Sequence, residues 1–233
     1  MTDPFGAVVR GDTTRKEIAL VFTGHEFADG GSVIRKTLRD QEVNASFFFT
    51  GHLYRDPGFG PLISGLKHDG HYLGAHSDEH LLYCDWVRRD SVLVTEKQFR
   101  KDLRNNYKRM KRFGIKRKDA RFFLPPYEWY NAAVAEWTKK AGFRLVNFTH
   151  GTRSTADYTY PEMGKSYRPS DEIYRSVTDY EKTSAHGLNG FILLVHIGTD
   201  PRRTDKFYYR LDQLITELKK KGYTFLRIDD LLD

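Results

Sequence analysis

Seven short apolar runs recur along the chain, separated by stretches in which apolar residues return every three or four positions. The runs are Glu17–Phe22, Ala45–Phe49, Tyr72–Ala75, Arg121–Leu124, Arg144–Phe148, Phe191–His196 and Thr224–Ile228. Their length and their Val, Ile and aromatic content predict buried strands. The intervening periodicity predicts helices over Ser32–Arg39, Thr95–Phe113, Tyr130–Lys140 and Lys206–Lys221. The last is the clearest, with Leu211, Leu214, Ile215 and Leu218 at helical spacing and Gly222 at its stop. Strands that alternate with helices imply a mainly parallel sheet. Seven such units predict an α/β fold, a distorted (β/α)7 barrel over residues 1–233 as one domain, with an open doubly wound sheet as the alternative. Gly151–Ser184 lacks a clear period and carries five tyrosines. It is too long for a plain connection, so a functional insertion or short extra elements are expected there.

Parallel α/β barrels place their chemistry at the C-terminal ends of the strands. His25 follows the first predicted strand, and His76 and His80 follow the third. Pro125, Pro126 and Tyr127 follow the fourth, Asp157 lies beyond the fifth, and His196 ends the sixth. Five strand exits therefore send polar or turn-forming residues to one rim. Two histidines four apart, as in His76-Ser77-Asp78-Glu79-His80, can share a helical face and one metal ion. Neutral imidazole suits zinc, nickel, cobalt and copper.

Five segments, in order and spacing, resemble the polysaccharide deacetylases (the NodB homology fold, carbohydrate esterase family 4). Ile18–Phe22 is similar to the strand that leads into the family's T-F-D-D-G motif, and Val43–Phe48 to its V-K-A-T-F-F segment. His76–His80 fits its H-[ST]-x-x-H metal motif, Phe123–Tyr127 its F-R-P-P-Y strand end, and Leu193–His196 its late L-x-H motif. The resemblance implies metal-dependent removal of N- or O-linked acetyl groups from a polysaccharide or oligosaccharide. It implies a divalent cofactor, zinc first, with nickel or cobalt as alternatives. By family position Tyr127 would offer its backbone N–H to the oxyanion. His196 would protonate the leaving group, and Asp157 would orient it. Pro126, Tyr127 and Trp129 are expected to meet the sugar.

The departures are as informative. Where the family has two adjacent Asp, a catalytic base and a metal ligand, this chain reads Phe22-Thr23-Gly24-His25-Glu26. Counting back from Phe47 without gaps puts the metal position on His25 and the base on Gly24; one residue earlier gives Gly24 and Thr23. The first register implies three imidazole ligands, His25, His76 and His80, the ligand number of catalytic zinc sites. Asp29 could instead replace the lost Asp ligand. The base is then sought in Asp29 and Glu26, ahead of Asp78 and Glu128. The family's Arg before Pro-Pro-Tyr is Leu124. Losing the Asp and its Arg partner together fits a remodelled base. It also fits a carbohydrate-binding domain without turnover, or an amide hydrolase on the same scaffold.

Charge and composition change this picture little. The net charge is +7, but Lys and Arg are interspersed with acids, as in Lys101-Asp102-Leu103-Arg104. The basic run Lys108–Lys118 reads as a solvated helix face and loop, so no nucleic-acid partner is expected. Cys84 is the one cysteine, which excludes an internal disulfide. No segment is apolar enough to span a membrane, and no secretory signal is visible. The resemblance implies a secreted or periplasmic domain whose signal has been removed; otherwise the chain is cytoplasmic. The oligomeric state is left open.

Overall fold

The computed structural model describes all residues, 1–233. Its seven strands are β1 (Glu17–Gly24), β2 (Ser46–Phe49), β3 (Tyr72–Ala75), β4 (Phe122–Phe123), β5 (Arg144–Leu145), β6 (Phe191–His196) and β7 (Thr224–Leu226). They form one sheet in the order β5-β4-β3-β2-β1-β6, with every pairing parallel. β1 is the hub. Its first half, Glu17–Ala19, pairs with β7, and its second half, Val21–Gly24, with β2. The sheet curls into a distorted barrel that β5 and β6 do not close by pairing directly. The N-terminal segment fills that gap: Val8 N–H donates to Leu145 O at 2.9 Å, and Gly11 N–H to Gly190 O at 2.7 Å.

The strands form because they are apolar on both faces. Ile18–Phe22, Phe47–Phe49 and Phe191–Val195 are all buried, as a sheet covered on both sides requires. The covering helices are α1 (Gly31–Asp40), α2 (Gly51–Arg55), α3 (Gly60–His68), α4 (Glu96–Lys111), α5 (Ala132–Lys140), α6 (Ser170–Thr183), α7 (Leu211–Lys220) and α8 (Ile228–Leu232). Each long one buries a stripe: Phe99, Leu103 and Met110 on α4; Leu211, Leu214, Ile215 and Leu218 on α7. Thr95 opens α4 through a reciprocal capping box with Gln98. The buried apolar side chains form one continuous cluster from Ala7 to Leu231.

The barrel and its seven strands agree with the sequence pattern, and several boundaries do not. β1 runs on to Gly24, which carries the strand to the rim. β4 and β5 are only two residues each. The expected strand end at Ile228 instead starts α8. Gly151–Ser184 is less irregular than its composition suggests, because α6 occupies Ser170–Thr183.

Candidate active site

The C-terminal strand ends surround a cleft of about 570 Å³, within the usual range for small-ligand sites. β1 contributes Thr23, Gly24 and the following His25 and Glu26. The β3 exit contributes His76 and His80, and the β4 exit Tyr127 and Glu128. Tyr158 and Tyr160 come from the segment after β5, and His196 from the end of β6. Four of the chain's five non-glycine residues with positive φ lie at these exits: Ser77 (76°), His80 (53°), Tyr127 (59°) and Glu128 (52°). Such conformations persist only where surrounding contacts hold them, and they cluster at functional sites.

The β3 exit is held from α4, by residues the sequence reading did not single out. His76 N–H donates to Asn106 Oδ1 at 2.9 Å, while Asn106 Nδ2 donates to Phe49 O. Buried Asp102 accepts from Asp78 N–H (3.1 Å), Glu79 N–H (3.0 Å) and the Tyr83 hydroxyl (3.1 Å). Only three-dimensional proximity links these two helix residues to a loop some 25 residues away in sequence.

His76 is buried, and its Nδ1 lies 2.8 Å from Leu124 O. A carbonyl can only accept, so Nδ1 carries the proton and Nε2 keeps its lone pair. Burial depresses this imidazole to about 3, against the opposing pull of the Leu124 carbonyl. His80 is depressed to about 2, by burial and then by the charge His76 would carry. Both are therefore neutral, the state a metal ligand needs. Their rings lie 5.2 Å apart at 55°.

His25 is different. Its ring stacks on His80 at 4.4 Å and 15°, and its Nδ1 sits 3.1 Å from Thr50 Oγ1. Imidazole lone pairs lie in the ring plane, so near-parallel stacked rings present theirs side by side. No three His, Cys, Asp or Glu groups are arranged to hold an ion. The pair His76 and His80 fits a metal; the three-imidazole set does not fit with His25 in this stack.

The β1 exit also discriminates between the two registers. A Cβ on Gly24 would meet Ile197, Leu53 and Phe49 at 2.8 to 3.0 Å, inside the apolar wall. Thr23 is the β1 residue whose buried side chain lines the cleft, and its hydroxyl has no partner. The geometry thus favours the earlier register, with Thr23 at the base position and Gly24 at the metal position. Neither can serve as the missing carboxylate.

Opposite the histidine pair, His196 Nδ1 lies 2.6 Å from Asp157 Oδ1, and its backbone N–H donates to Asp157 Oδ2 at 2.8 Å. Burial pulls the imidazole down, but the Asp157 charge and hydrogen bond, with Glu128 behind them, leave it raised. Half-buried Glu128 is itself pushed up to about 7, mainly by burial and further by Asp157, with His196 opposing.

Other expected residues lie elsewhere. Asp29 stands apart from the cleft lining: its carboxylate accepts from Thr199 N–H (2.8 Å) and the Tyr208 hydroxyl (3.0 Å) and pairs with Lys206 (3.0 Å). It clamps a loop. Asp78 is buried between Arg55 (3.0 Å) and Arg109 (3.5 Å). Glu26 lines the rim but is 59% exposed. Pro126 is buried beneath the turn. Trp129 stacks on Trp86 and on the Arg89 guanidinium, and it is Trp86, 53% exposed, that reaches the cleft wall beside Tyr127.

A sequence model of the family described as polysaccharide deacetylase matches residues 10–146. The peptidoglycan-N-acetylmuramic acid deacetylase PdaA of Bacillus subtilis is 27% identical over 241 residues, covering all of this chain and 77% of that protein. Its solved structure, a family 4 carbohydrate esterase, superposes with a TM-score of 0.74 at 26% identity, over 97% of this chain and 85% of that one. A CE4 family pseudoenzyme from Bacillus anthracis shares the fold at a TM-score of 0.74 and 18% identity, over 99% of this chain and 70% of that one.

Proposed function

The chain belongs to the polysaccharide deacetylase family, and from that premise we propose that it is a hydrolase removing acetyl groups from the amino sugars of a peptidoglycan-type polysaccharide. The observation that carries this reading is the His196–Asp157 pair, facing the neutral His76 and His80 across one cleft. Asp157 accepts a hydrogen bond from His196 Nδ1–H, which leaves Nε2 as the nitrogen free to act. A raised, partly shielded imidazolium is suited to protonate a departing amine. Tyr127, 44% exposed beside His80, and Trp86 offer aromatic faces to a sugar ring. A divalent ion held by His76 and His80 would supply Lewis-acid polarisation of the acetyl carbonyl. His25 would have to leave its stack to join them.

One observation favours a second reading, a carbohydrate-binding domain without turnover. β1 ends in Thr23 and Gly24, where the family has its paired acids. Acetate release from muropeptides and N-acetylated chitooligosaccharides, with zinc, nickel or cobalt supplied, decides between the two. Release that disappears in His196→Ala supports the hydrolase. Saccharide binding without release supports the alternative.

A further inference from the structure

Resting on the deacetylase reading, the question left by β1 is which group takes the proton of the attacking water. We propose that Glu128 is that general base, supplied from the β4 exit in place of the missing β1 carboxylate. Three observations carry this. Glu128 lines the same cleft as His76, His80 and His196. Its backbone sits at φ 52°, a left-handed conformation that glycine adopts without penalty and glutamate does not. The turn therefore carries a carboxylate at a conformational cost, and the Asn147 amide holds its backbone by donating to the Glu128 carbonyl at 2.8 Å. Finally, the other acids are committed or exposed: Asp200 to Arg202, Asp157 to His196, Asp29 to Lys206, Asp78 to Arg55, and Glu26 to solvent.

The step balances. The Glu128 carboxylate accepts one proton of a water, whose oxygen bonds to the acetyl carbonyl carbon. As the C–N bond breaks, protonated His196 gives its Nε2 proton to the leaving nitrogen. One amide and one water become acetic acid and an amine, and the proton on Glu128 returns to His196 through solvent. The ionisable groups that face Glu128 are His196 on β6 and Asp157 and Tyr158 in the segment after β5. Its burial-raised carboxyl, at about 7, places the acid limb of the rate profile near neutrality.

The experiment compares wild type, Glu128→Gln and Glu128→Gly for acetate release against pH, for Tm, and for the His196 titration by NMR. Asp29→Asn, at an acid outside the cleft lining, is the control. The expected result is a loss of about 10²–10⁴-fold in kcat for both Glu128 variants, with the acid limb gone. Glu128→Gly should keep or raise Tm, because glycine relieves the left-handed strain. His196 should titrate at lower pH in Glu128→Gln, having lost a neighbouring negative charge. If wild type turns over and Glu128→Gln stays within about threefold with the same acid limb, the base assignment is overturned and the deacetylase reading stands. If wild type releases no acetate from any substrate, both are overturned.

Discussion

Asp157→Asn is the sharpest perturbation of the proposed chemistry, because Asp157 does two things at once. It accepts the backbone N–H of His196 and the Nδ1 proton of the same residue, one on each oxygen. An amide has one oxygen, so asparagine can keep only one of these bonds, and its NH2 group would face the other donor. Either the backbone N–H or the imidazole loses its acceptor, and the negative charge is gone in both cases. A hydrogen bond to a charged group contributes about 1.5–3 kcal/mol. At about 1.4 kcal/mol per factor of ten, the ratio of protonated to neutral His196 at a given pH falls roughly 10- to 100-fold, and the protonated fraction by less than that. Burial then acts unopposed except by Glu128. Glu128 responds in the same direction, because Asp157 helps to raise its carboxyl.

Both limbs of the pH profile should therefore slide toward acid in Asp157→Asn. The loss in kcat/KM should be at most about 10- to 100-fold at pH 7 and smaller near pH 5.5, where His196 regains its proton. The linkage to stability has a definite sign. A folded-state value raised above the unfolded one stabilises fully below the unfolded pKa of about 6.5, and the benefit is lost as pH rises through the folded value. The stability gap between wild type and variant should thus be widest below pH 6.5 and narrow above it. Initial rates of acetate release from pH 4.5 to 9.5, with urea melts at the same values, test both. A profile that only scales down, with unmoved limbs, would refute the assignment of His196 as the acid.

Three further outcomes are expected. Burial depresses His71 to about 4, and its Nδ1 lies 3.2 Å from Ala45 N–H, so the folded state holds it neutral. Its contribution is present above about pH 6.5 and is lost as pH falls toward 4, on the order of 3 kcal/mol in all; His71→Gln should flatten that part of an acid melt. Asp102→Ala strands two N–H donors and the Tyr83 hydroxyl, and should cost about 3–5 kcal/mol in urea unfolding; a loss under about 1 kcal/mol would mean the loop finds other partners. Trp86→Ala should raise KM for an oligosaccharide up to about tenfold with little change in kcat, and equal KM values would remove Trp86 from the sugar site.

The sequence pattern carried the barrel because its strands are buried on both faces and so read as unbroken apolar runs. It missed α6, whose inward stripe is little more than Ile173 and Val177, set among tyrosines and charged residues. It overran β4 and β5, because an apolar run does not say where a parallel partner stops. At the site, His76 and His80 were legible from their spacing, and His196 and Asp157 from their places after strands. Asp102 and Asn106 were not. They sit on a charged helix where a buried Asp and a solvated one look the same, and only the neighbouring loop distinguishes them.

Nearness in sequence and nearness to the cleft part company after β1. Asp29 and Glu26 both follow the strand end where the family keeps its acids, yet only Glu26 lines the cleft. Beyond Gly24, His25, Glu26 and Phe27 still line the cleft, but Ala28 and Asp29 do not. By Asp29 the chain has reached the loop that Lys206 and Tyr208 hold. At the β4 exit, Tyr127 and Glu128 are consecutive left-handed residues, and both line the cleft. A left-handed residue other than glycine costs about 1–3 kcal/mol, and the turn holds two in succession. The return in core packing is small, since Tyr127 is 44% exposed, with its ring against His80 and Trp86 at the cleft, and Glu128 is only half-buried. The cost is accounted for if these two side chains are needed where they are, one beside the histidine pair and the other facing His196. Tyr127→Gly together with Glu128→Gly should then give a protein at least as stable as wild type in thermal melts and without turnover. A double variant that melts markedly lower would show that the turn serves the fold rather than the chemistry.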